Sequence, residues 1–187
     1  MHFHHHDLQL IRLHIGMRNV KTALAATLCA MIYLLFGRNP TFACIGAVFG
    51  MGYDMGNSWL SGGNHLFGTI IGGLLGMGLF SLYIIFVPEG GLHPLILPLL
   101  FLGVLVLIAI SLVVKWPGAI QPGAVMLCIL LFNQPVDSYI AYSLNRIVDT
   151  AIGVVIALGV NLLLPRERLV RWLVKLHLHP EEPAPKN

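Results

Sequence analysis

Asn145-Arg146-Ile147-Val148-Asp149-Thr150-Ala151-Ile152-Gly153 opens an apolar run that continues to Leu164. Arg146 and Asp149 are three apart, which on a helix sets them one turn from each other on one face. Thr150, Gly153, Ala157 and Asn161 extend that face at helical spacing, and Val, Ile and Leu fill the opposite one. A run of about 20 residues is long enough to cross a bilayer as a helix. Each charge inside it would cost about 2.5–3.5 kcal/mol at the bilayer centre. The face that bears them is therefore expected to meet protein or water, and its residues are functional candidates by default.

The rest of the chain agrees with a membrane setting. Of its 187 residues 57% are apolar and only 10% are charged, with mean hydropathy +0.82. A soluble domain carries about 25% charged residues, so this chain cannot cover a globular surface with charge. The expectation is an all-α integral membrane protein in which one compact domain uses up the length. Cys29, Cys44 and Cys128 lie singly within apolar runs and read as small buried residues rather than a metal or redox set. No phosphate-cradling loop, helical pair of metal histidines or nucleophile elbow is present. The chain reads as no enzyme, with no cofactor, no metal and no nucleic-acid partner.

Six apolar runs are expected to be six spans: about 17–36, 41–53, 65–87, 95–114, 118–132 and 139–164, together a transmembrane domain over 17–165. The second and fifth are short for a bilayer and are expected to tilt, break or borrow polar flanks. Residues 1–16 form an N-terminal cytoplasmic segment, His-rich at its start. Residues 166–187 form a tail in which Arg166, Arg168, Arg171 and Lys175 accompany Trp172 on a basic amphipathic helix, suited to an anionic membrane surface. Nearly all Lys and Arg fall on one side if both termini are cytoplasmic, with Arg38 in an outer loop.

The two halves resemble each other. Arg38-Asn39-Pro40 with Gly46-Ala47-Val48 matches Lys115-Trp116-Pro117 with Gly123-Ala124-Val125, and the segment from His65 to Gly72 matches that from Arg146 to Gly153. Three spans per half is an odd number, so the halves would insert with opposite topology, as an inverted 3+3 repeat. His65 and Arg146 then open equivalent helices near opposite membrane boundaries. Each leads a polar face, His65 with Thr69 and Arg146 with Asn145, Asp149 and Thr150. Two readings stand: both snorkel to the headgroups, or both line one pathway. Asp54 and Asn57, among Gly50, Gly52 and Gly56, mark either a water-filled vestibule or a cytoplasmic loop. Gly68, Gly72 and Gly76 stand four apart and form a close-packing ridge, continued in the other half by Gly153.

Three segments carry a resemblance to a known family: Ile15-Gly16-Met17-Arg18-Asn19-Val20-Lys21-Thr22-Ala23, Gly68-Thr69 with Gly72, and Asn145-Arg146 with Asp149-Thr150 and Gly153, closing on Asn161-Leu162-Leu163-Leu164-Pro165. They resemble the bacterial aromatic acid exporter family of the fusaric acid resistance superfamily. The resemblance implies a six-helix domain of the bacterial inner membrane that moves small aromatic organic anions outward. Plant malate channels look similar in architecture, so a passive anion channel is the second expectation, and a non-transporting membrane scaffold the third. A homo-oligomer, a dimer first, is expected because six short spans leave little room for a pathway.

Overall fold

The computed structural model describes residues 17–164, as six α-helices and one 3-10 turn. They are α1 Met17–Leu35, α2 Thr41–Gly50, α3 Met55–Phe86, α4 Ile96–Val113, the turn Pro117–Ala119, α5 Ile120–Asn133 and α6 Tyr139–Leu163. The His-rich start and the basic tail with Arg166, Arg168, Arg171, Trp172 and Lys175 lie outside the described residues.

By length and composition α3, α4 and α6 suit a membrane crossing, while α2 and the stretch Pro117–Asn133 are shorter apolar helices. At 1.5 Å per residue, α2 is about 15 Å long, half of a hydrocarbon core of about 30 Å. The surface is inverted relative to a soluble protein: Leu35, Phe36, Ile85, Phe86 and Val113 are exposed, and Tyr33, Tyr83, Phe80 and Leu107 are buried. Such a surface is stable only against lipid or another protein.

α1 ends because Gly37 takes a left-handed conformation, φ 63°. The Arg38 N–H then reaches back to the Tyr33 carbonyl at 2.9 Å, which satisfies an orphan carbonyl of the last turn. α4 ends in the same way at Lys115, φ 58°, with the Trp116 N–H on the Ser111 carbonyl at 2.8 Å. Asn39 starts α2: its side-chain oxygen accepts from the Thr41 N–H and the Thr41 hydroxyl.

The third helix corrects the sequence reading. It begins at Met55, not at His65. Asp54 caps it, accepting from the Asn57 N–H at 2.7 Å and from the Asn57 side chain at 2.9 Å. Of the glycines around Asp54, Gly52 lies in the α2–α3 connection, and Gly62 and Gly63 further on are packing positions inside α3. A Cβ on Gly62 would meet Val154, and one on Gly63 would meet the Trp116 ring. His65 therefore sits in the third helical turn rather than at a helix start.

Glycine also sets how the helices cross. α2 packs chiefly on α6, and α5 packs chiefly on α3. On the first seam a Cβ on Gly46 would lie 2.6 Å from the Thr150 carbonyl, and one on Gly153 would strike the Ala43 carbonyl. On the second, Gly68 faces Pro122 and Ala119, Gly72 faces the Gly123 backbone and Gly76 faces Leu130. The Gly68–Gly76 ridge is thus filled by α5 of the same chain.

Two apolar cores result. One gathers Ala25, Cys29, Tyr33, Ala43, Ala47, Met51, Ala157 and Val160 from α1, α2, the start of the α2–α3 connection and α6. The other gathers Phe80, Tyr83, Ile96, Met126, Leu127, Leu130, Leu131 and Tyr139.

A buried polar chain ties α1 to α6 and α3. The Lys21 ammonium, only 4% exposed, donates to the Asn161 side-chain oxygen at 2.9 Å. The Asn161 amide donates to Ser58 Oγ at 2.8 Å, which also accepts from the Gly52 N–H. No carboxylate within the described residues pairs with Lys21. Asn161→Leu should therefore strand a buried amine and lower stability by about 3 kcal/mol. Adding Lys21→Met should recover most of that loss, read as the melting temperature in detergent.

Candidate functional site

The third turns of α3 and α6 face one cavity of about 640 Å³. α2 contributes Phe42, Ile45 and Phe49; α3 contributes Ser61, Asn64 and His65; α6 contributes Arg146. Gly118, Gln121, Pro122, Val125 and Ile129 close it from the Pro117 turn and α5. This volume lies within the usual range of small-molecule pockets, about 300–1,000 Å³.

Arg146 is the charge at this cavity. Its side chain runs back toward the start of α6, as helical side chains do. The guanidinium lies 4.0 Å from the centroid of the Phe42 ring and donates to the Tyr142 hydroxyl at 2.9 Å. Phe42 in turn meets Tyr142 edge-on at 5.6 Å. Arg146 is 7% exposed and forms no ion pair with any described residue. A guanidinium carries five N–H donors, so the Tyr142 contact leaves donors for an incoming acceptor. Across the cavity, His65 stacks on Phe49 at 4.7 Å and 20°. Asn64 is oriented by the Trp116 indole N–H, 2.6 Å from its side-chain oxygen.

A smaller pocket of about 250 Å³ shares Ser61 and Asn64 with the larger one. Arg18, Gly52, Tyr53, Asn57 and Leu60 complete it. Arg18 is fixed by its Nε–H on the Met51 carbonyl at 3.2 Å, and lies over the Tyr53 ring at 4.7 Å. The two pockets and their shared pair run along one side of α3.

Asp149 stands elsewhere. One carboxylate oxygen accepts from the Tyr33 hydroxyl at 2.7 Å and from Arg38 at 3.0 Å. This is the sole ion pair within the described residues, and it joins a buried carboxylate to a half-exposed guanidinium. Arg146 and Asp149 share a helix and point into different surroundings.

The face read from Arg146 to Asn161 is buried throughout: Arg146, Asp149, Thr150, Gly153, Ala157 and Asn161 all lie inside. His65 and Arg146 come together on one cavity. Thr69 is buried and donates to its own helix, to the His65 carbonyl at 2.8 Å. Thr150 is buried where Gly46 approaches its carbonyl. Asn145 is exposed on α6. Asp54 is exposed and caps α3; its neighbour Asn57 lines the smaller pocket. Sequence reasoning missed Tyr33, Arg38, Phe42, Phe49 and Asn64 as site residues. One signal for Arg38 was available: a lone cation in the short connection after the first apolar run, and a carboxylate inside an apolar helix in need of a partner.

Against curated proteins and solved structures the chain finds no match. Residues 13–164 match the family model described as aromatic acid exporter family member 1. That span takes in all six helices and both pockets, so the chain is a multi-pass membrane protein that belongs to the aromatic acid exporter family.

Proposed function

We propose that this protein exports small organic anions, single-ring aromatic carboxylates foremost, through the cavity between α2, α3, α5 and α6. The observation that carries this is Arg146: a buried cation without a carboxylate partner among the described residues, facing a cavity with aromatic rings in its wall. A carboxylate would take the guanidinium N–H donors, two parallel bonds being the strong arrangement. Its ring would lie against Phe42 and Phe49, whose faces supply apolar contact. His65, Asn64 and Gln121 add polar atoms that fix orientation. The smaller pocket, with Arg18 and Asn57, serves as the inner mouth, and Arg18 draws anions from the cytoplasm. Thr69, Thr150 and Gly153 hold the helices around the site.

The proposed setting is the bacterial cytoplasmic membrane, with both termini inside and six membrane segments as an inverted 3+3 repeat. The crossed packing supports that repeat: the middle helix of each half, α2 or α5, lies on the last helix of the other half. The matching αL ends of α1 and α4 support it as well. A homodimer is part of the proposal, with its seam on exposed apolar faces, since α5 already fills the Gly68–Gly76 ridge.

The test is flux of radiolabelled benzoate and of chloride into proteoliposomes, with and without an imposed pH gradient. Benzoate flux that responds to the gradient, with little chloride flux, is the expected result. Gradient-independent flux of both anions would indicate a channel. No flux from folded protein would sink the transport reading and leave a scaffold.

A further inference from the structure

Arg146 and Asp149 sit one turn apart on α6, the spacing at which opposite charges pair along a helix. Both are buried, where an ion pair is least screened. Yet they do not pair: the Asp149 carboxylate is held on the α1 side by the Tyr33 hydroxyl and by Arg38. The Arg146 guanidinium is held on the α2 side by Phe42 and Tyr142. We infer that Arg38 is a positioning residue for the anion site, which keeps the Asp149 carboxylate off Arg146 so that Arg146 meets the substrate with its full charge. This rests on the anion-site reading of Arg146 given above.

The backbone delivers Arg38 to this task. Gly37, at φ 63°, turns the chain back on the end of α1, and the Arg38 N–H is pinned to the Tyr33 carbonyl. Tyr33 and Arg38 thereby reach the same carboxylate oxygen, and the Arg38 guanidinium lies 5.5 Å from the Tyr33 ring centroid. With 48% of its side chain exposed, Arg38 keeps part of its hydration while it neutralises a carboxylate that is 8% exposed. Arg38, Asp149 and Arg146 together carry one net positive charge, and this geometry places it at the cavity. Without Arg38 the remaining two sum to zero, and a single neutral contact, the Tyr33 hydroxyl, is left to hold Asp149 from turning toward Arg146. A carboxylate there would compete with the substrate's own carboxylate for the same fork of donors.

The test uses the purified full chain in proteoliposomes, with benzoate as probe and KM read separately from the maximal rate. Arg38→Ala should raise KM about tenfold or more, the scale of one charge-assisted contact. Adding Asp149→Asn to Arg38→Ala should bring KM back toward the native value, because the competing charge is gone. Arg38→Lys should stay close to native, since a lysine can still hold the carboxylate. A role limited to folding would lower the maximal rate and the yield of folded protein while KM held. A native KM in Arg38→Ala, beside a raised one in Arg146→Ala, would overturn this inference and leave the anion site standing. A raised KM that Asp149→Asn does not rescue would also overturn it, and would make Arg38 a contact of the anion itself. A native KM in Arg146→Ala would remove the anion site and this inference together.

Discussion

Arg146→Ala should raise the KM for benzoate flux about 10- to 100-fold while the yield of folded protein holds. The magnitude follows from hydrogen bonds to a charged group, about 1.5–3 kcal/mol, at tenfold per 1.4 kcal/mol. Folding is spared for a specific reason. Removing one member of a buried ion pair is destructive because it strands the other charge. Arg146 has no ion-pair partner among the described residues, so its removal strands none of them; the Tyr142 hydroxyl loses one contact. Arg146→Lys should fall between native and alanine, because an ammonium keeps the charge and loses the planar fork. The measurement is initial benzoate uptake against concentration in proteoliposomes, with melting in detergent alongside. An unchanged KM in Arg146→Ala would end the assignment of Arg146 to the substrate.

Gly153→Ala and Gly72→Ala should each destabilise the fold by about 2–3 kcal/mol, the usual scale of overpacking. The sign is informative because helix propensity alone points the other way, favouring alanine by about 1 kcal/mol. At Gly153 the new methyl would strike the Ala43 carbonyl, and at Gly72 the Gly123 carbonyl. Both obstacles are backbone, which cannot rotate away as a side-chain tip can, so the helices must part. Gly78→Ala and Gly159→Ala are the controls, with nothing within 4 Å of the added methyl. They should be neutral or slightly stabilising. Thermal melts of the four variants check this, and equal melting temperatures would show that the α2–α6 and α3–α5 seams tolerate separation.

The helical membrane class was legible from composition, and the buried face of α6 from its period. Arg146, Asp149, Thr150, Gly153 and Asn161 are inside because a helix that is polar on one stripe has a single stable orientation in apolar surroundings. The start of α3 was not legible. Gly62 and Gly63 carry the same letters whether they loosen a loop or admit a neighbouring helix, and only the neighbours Val154 and Trp116 decide. The partner of Asp149 was hidden for a related reason. Spacing along α6 names Arg146, whereas the observed partner, Arg38, lies 111 positions away in sequence. Phe42 and Phe49 read as ordinary apolar residues, since nothing in their local pattern separates a cavity wall from a lipid-facing ring.

The crossed seams have a consequence for biogenesis. α2 emerges from the ribosome early, too short to span a bilayer unaided, and its main partner α6 follows about 100 residues later. At about 5–20 residues per second, that interval lasts on the order of 5–20 seconds. During it, the small-residue face of α2, with Ala43, Gly46, Ala47 and Gly50, has no helix from its own chain to close on except α1 and the start of α3. Neither half can reach its final packing before the other is made. Assembly is therefore post-insertional and late, and in the meantime α2 depends on the insertion machinery or on lipid. A nascent chain stalled before Tyr139 should present α2 to added protease, and the finished chain should not.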